Sequence, residues 1–129
     1  MAQISMLLHD EHLPFFTSKI DEIYCEFAPQ RAQTIINSAL DELVIRLSVL
    51  ECAGKQNKRA AIRKAVDALM SIGQQIGLGS LTDAANNVRA LTASSHDPAL
   101  ADAVPRLVRL GYMCLVSLWA IQDQKNTRL

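Results

Sequence analysis

Residues 30–54 read QRAQTIINSALDELVIRLSVLECAG, without glycine or proline until the last position. Within them Ile36, Leu40, Leu43, Leu47 and Leu50 recur alternately four and three residues apart. That spacing keeps every one of them on a single face of a helix with 3.6 residues per turn. The resulting apolar stripe is narrow, as expected for a helix packed nearly antiparallel against neighbours in a bundle. Pro29 immediately before it suits a first helical turn, where its missing N–H costs nothing.

The same reading extends outward in both directions. Towards the N-terminus, Pro14 opens a helix predicted over residues 14–27, preceded by an apolar segment with no clear stop signal. On the other side, residues 54–57 are expected to form a loop. After it Ile62, Ala65, Val66, Leu69, Ile72, Gly73 and Ile76 mark a second core-facing stripe. Gly77 and Gly79 end that helix, and Ser80, with Asp83 three residues on, is expected to cap the next. Leu81, Ala84, Ala85, Val88 and Leu91 supply its buried face, to about Ala93.

Asp97 before Pro98 signals the last helix, because its carboxylate can accept from free amide hydrogens at the helix start. Leu100, Val104, Leu107, Leu110, Cys114, Leu118 and Ile121 face one way along it, with Tyr112 and Trp119 at the border of the core. Pro105 removes an internal hydrogen bond, so a kink is expected, with a short lead-in followed by a helix over residues 106–124. The pattern predicts an all-α chain forming one domain over residues 1–129. Residues 1–27 are an N-terminal extension and helix, and residues 28–129 are the bundle core.

Composition narrows the function classes. Thirteen basic residues balance thirteen acidic ones, so no net field draws the chain to nucleic acid or an anionic membrane. No uninterrupted apolar run approaches the ~20 residues of a membrane span, and the N-terminus lacks a basic segment, apolar stretch and cleavage site. A cytoplasmic location is expected. Cys25, Cys52 and Cys114 form neither a CxxC pair nor a zinc pattern, and are expected to be buried or half-buried thiols. His9 and His12 stand three apart, but no third ligand accompanies them. No triad, phosphate loop or di-iron motif is present, so neither catalysis, metal nor cofactor is expected.

Residues 65–91, AVDALMSIGQQIGLGSLTDAANNVRAL, resemble the central hairpin of histidine phosphotransfer (HPt) domains. That family's signature is roughly His-x-Leu-Lys-Gly, then small residues, two variable positions, an apolar residue and Gly. Leu69, Gly73, Ile76 and Gly77 fall in matching places, and Leu81, Ala84, Ala85 and Val88 resemble the family's next helix. The resemblance implies an antiparallel four-helix bundle, here with an additional N-terminal helix. In this register Asp67 replaces the phosphate-accepting histidine, Met70 the lysine and Ser71 the close-contact glycine. The chain therefore resembles a degenerate member without transfer chemistry.

What the resemblance leaves is a partner-binding face: Arg63, Lys64, Asp67, Met70, Ser71 and Gln74, at helical spacings on one side of a helix. The expected partner is a receiver domain or a related signalling protein. An ordinary solvated helix face is the simpler reading of the same residues. The structural alternative is self-association, a homodimer burying Leu7, Leu8, Phe15 and Phe16 against a second copy.

Overall fold

The computed structural model describes residues 13–94 and 97–128, with side chains described over 19–94 and 97–123. Among the described residues there are five helices and no strand: α1 (Leu13–Glu26), α2 (Pro29–Lys55), α3 (Arg59–Ile76), α4 (Gly79–Thr92) and α5 (Asp97–Arg128). Helix α3 packs on α2 and α4, and α5 packs on α2 and α4, so these helices enclose one core. Helix α1 makes fewer contacts and lies against α2 and α3.

The apolar seam of α2 is buried as its spacing requires: Ile36, Leu43, Leu47 and Leu50 are fully covered and Leu40 nearly so. Burial of each such side chain stabilises the fold by about 1.5–3 kcal/mol. Helix α3 buries Ile62, Ala65, Val66, Leu69, Ile72, Gly73 and Ile76, and Leu81, Ala85 and Val88 of α4 meet them. Helix α5 contributes Leu100, Val104, Leu107, Cys114, Leu118 and Ile121.

The punctuation differs from expectation in three places, and the burial of the cysteines in a fourth respect. Gly54 lies inside α2, which continues to Lys55; a Cβ at Gly54 would stand 2.7 Å from Val104 Cγ1, so the missing side chain permits close approach of α5. Asn57 ends the helix instead, at φ 55°, while the Lys58 N–H donates to the Ala53 carbonyl at 3.1 Å. Ser80 does not cap α4: the helix begins at Gly79, with Leu78 at the N-cap and no side-chain cap bond. The turn from α3 to α4 is so tight that fully buried Leu78 occupies the position a polar cap would take. Pro105 does not divide the last helix, which is continuous from Asp97 to Arg128. Its ring faces the exposed side, while Val104, Leu107 and Val108 around it are anchored in the core. Finally, Cys25 and Cys52 are exposed and only Cys114 is buried.

Polar contacts tie the two ends together. At one, the Tyr24 hydroxyl donates to Gln122 Oε1 at 3.1 Å, and Gln122 Nε2 donates to Asn37 Oδ1 at 3.2 Å. Gln122 is 4% exposed, so this chain fixes α1 to α5 and α2 at the cost of burying an amide that must stay bonded. At the other, Arg59 reaches across to the end of α4 and the start of α5.

Gly73 sets the distance between α3 and α4. A Cβ there would lie 2.2 Å from Thr82 Oγ1 and 3.2 Å from the Leu78 carbonyl oxygen, and Thr82 Oγ1 already donates to that carbonyl. Gly77 then turns the chain at φ 76°. Gly73→Ala is expected to destabilise the fold by about 1–2 kcal/mol, despite the helix propensity it gains. Gly73→Ala combined with Thr82→Ala recovers most of the loss, which urea denaturation of the four proteins measures.

Candidate partner-binding face

Helix α3 presents the six residues singled out from the sequence, and the structure divides them by their relation to α4. Arg63, Lys64, Asp67, Ser71 and Gln74 are exposed, whereas Met70 is half-buried and packs against the core cluster. The periodicity explains this. Arg63, Asp67, Met70 and Gln74 follow one another three or four residues apart and form a ridge, while Lys64 and Ser71 lie on the neighbouring track.

Asp67 is not an isolated charge. Its Oδ1 accepts from Arg89 Nε of α4 at 2.9 Å, and both side chains remain close to half exposed. The Asp67 carboxylate is thus neutralised across the hairpin, in a solvent-screened pair worth at most about 1 kcal/mol. Arg89 escaped the sequence reading because nothing in its spacing links it to α3; the close approach at Gly73 brings the two helices into register. The ridge thus presents a balanced pair of charges beside the half-buried Met70.

The chain matches no protein-family model, no curated protein and no solved structure. The likeness to phosphotransfer domains therefore stands on the residues quoted above. The expected N-terminal contributors Leu7 and Leu8, and the histidines His9, His12 and His96, lie outside the described residues, as do the side chains of Phe15 and Phe16. Among the described residues, no group of three or more His, Cys, Asp or Glu is placed to hold a metal ion.

Two other surface features stand out. A groove of about 710 Å³ lies where α2, α3 and α5 converge, lined by Glu51, Lys55, Arg59, Pro98, Pro105 and Arg109 among others. Further along α5 the exposed side chains become apolar: Tyr112, Met113, Val116 and Trp119 are 37–49% exposed. A signal for this was present in the sequence, since residues 110–122 carry no charged side chain at all, more than one buried stripe requires. By length and composition alone, Asp97–Asp123 is also apolar enough to cross a membrane; half of its most apolar window is buried, as in the core helix of a bundle.

Proposed function

We propose that this chain is a non-catalytic signalling module of the HPt type: an antiparallel four-helix bundle of α2 to α5, with α1 as an additional N-terminal helix. In this reading it acts in the cytoplasm. It docks a receiver domain, or a related signalling protein, through the α3 face of Arg63, Lys64, Asp67, Met70, Ser71 and Gln74.

The observation that supports this most is the pairing of Asp67 with Arg89 across a hairpin whose spacing is set by Gly73. The residue at the acceptor position is tied into a surface ion pair, with the half-buried, uncharged Met70 where the family has its lysine. Such a surface keeps a defined shape and a balanced charge pattern, which favour recognition and registration of a partner over chemistry. A carboxylate in place of the imidazole removes the nitrogen that would accept and release phosphate.

Binding of purified receiver domains, with and without a phosphoryl-mimicking ligand, tests the reading. Ser71→Arg places a long cation on the exposed track and is expected to weaken docking by about tenfold or more while leaving thermal stability unchanged. Arg63→Glu is expected to act in the same direction. Docking by no receiver, or docking indifferent to both substitutions, removes the proposed face. Labelled phosphate appearing on the chain overturns its non-catalytic character.

A further inference from the structure

The exposed apolar residues of α5 are arranged symmetrically about Val116. Met113 and Trp119 lie three residues either side of it, Tyr112 and Ala120 four, and Arg109 and Asp123 seven. All fall within one side of the helix, because steps of three, four and seven residues return to the same face. The stripe is apolar at its centre, ends in a cation at one side and ends in an anion at the other. Arg109 and Asp123 are both exposed, and Val116 is 45% exposed.

We propose that this face binds a second copy of the chain, α5 against α5, antiparallel across a twofold axis at Val116. This inference is independent of the receiver-docking reading, which uses the opposite pair of helices. An isologous contact requires a patch that is its own complement. Antiparallel pairing about Val116 supplies that: Arg109 of one copy meets Asp123 of the other at both ends of the seam. Between them Tyr112 stands across from the second copy's Trp119, and Met113 fills the space beside its Ala120. An inverted charge pattern of this kind distinguishes a self-partner from a lipid surface, which offers no anion to Arg109 and cation to Asp123 in fixed register.

Helix α2 widens the surface. Glu51 and Pro105 line the same groove, and seven-residue steps carry that line to Val44 on α2 and to Tyr112 and Trp119 on α5. Val44 is itself 36% exposed. A seam from Arg109 to Asp123 is roughly 21 Å long at 1.5 Å per residue. With Val44 beside it, it covers on the order of 500 Å² per copy, less than the ~800 Å² of a standard interface, so a weak, concentration-dependent dimer is expected.

Sedimentation equilibrium of the full chain tests this, with thermal melts of each variant as a check on folding. The chain is expected to pass from monomer to dimer as its concentration rises. Val116→Glu sets two carboxylates face to face on the axis and is expected to weaken association about a hundredfold. Arg109→Asp and Asp123→Arg each place like charges opposite one another and are expected to weaken it about tenfold, whereas the two together restore the pairing in reverse and recover most of the affinity. Trp119, the one tryptophan of the sequence, reports the same transition by a blue shift of its emission. A monomer at about 1 mM overturns the proposal. So do a dimer indifferent to Val116→Glu, a double reversal no better than the single ones, and a monomer that binds vesicles through this face.

Discussion

Arg59→Ala is expected to melt roughly 10 °C below the unsubstituted protein, a loss of about 2–3 kcal/mol. Arg59 stands at the first position of α3, yet its guanidinium serves the other end of the neighbouring helices. Nη1 donates to the carbonyl oxygens of Leu91, Thr92 and Ser94 at 3.3, 2.9 and 2.7 Å. Leu91 and Thr92 belong to the last turn of α4 and Ser94 to the turn just after it, where the helix dipole places partial negative charge; the Leu91 carbonyl also accepts from the Ser94 N–H at 3.1 Å. Nη2 pairs with the Asp97 carboxylate at the start of α5. That carboxylate is 81% exposed, so the ion pair itself is screened and contributes little.

The larger contribution comes from the Thr92 and Ser94 carbonyls, which alanine leaves without this donor in a partly buried site. Arg59→Lys is expected to recover less than half of the loss, since a single ammonium cannot span three carbonyls of one turn and a carboxylate of the next helix. Equal stability of the arginine and alanine proteins in calorimetry would mean that water replaces the guanidinium without cost.

The second large effect belongs to Gly111. Glycine in a helix is disfavoured by about 1 kcal/mol relative to alanine, so Gly111→Ala at an open position would stabilise. Here the added methyl would meet Leu47 at 2.3 Å from Cδ2, 2.9 Å from Cδ1 and 3.1 Å from Cγ. Leu47 is fully buried, so it can yield only by repacking against its close-packed neighbours. Gly111→Ala is therefore expected to cost about 2 kcal/mol net, by forcing α2 and α5 apart.

Leu47→Ala alone is expected to cost about 2–5 kcal/mol through the cavity it leaves. In the double variant the new methyl occupies part of that cavity, so the combined loss falls about 2 kcal/mol short of the sum. Gly79→Ala is the contrasting case, with nothing within 4 Å of the added Cβ, and is expected to be neutral or slightly stabilising. Urea midpoints for the set measure the coupling directly.

These sites mark where reading along the chain succeeds. The buried faces of α2 and α3 follow from period alone, down to Gly73, because a helix covered on one side repeats its apolar residues at the helix period whatever covers it. The exposed character of Arg63, Lys64, Asp67, Ser71 and Gln74 follows by subtraction. The pairing of Asp67 with Arg89 does not, since an ion pair between helices depends on how close and at what angle they cross. Likewise Gly54 looked like a loop residue because glycine commonly ends helices; its use as a contact point with Val104 is visible only when α5 is in place.

The all-helical class, the approximate extent of the helices and the residues that face inward are local properties, carried by propensity and period within each segment. The contacts that give the molecule its particular surface are not local. Arg59 bridging α4 and α5, Leu47 seated against Gly111, Gln122 joining Tyr24 to Asn37, and the apolar side of α5 left uncovered all depend on which helix lies beside which. Only the packed tertiary structure decides them, because a side chain's partner across a helix interface is set by crossing geometry and close-packed volume, to which no single segment has access.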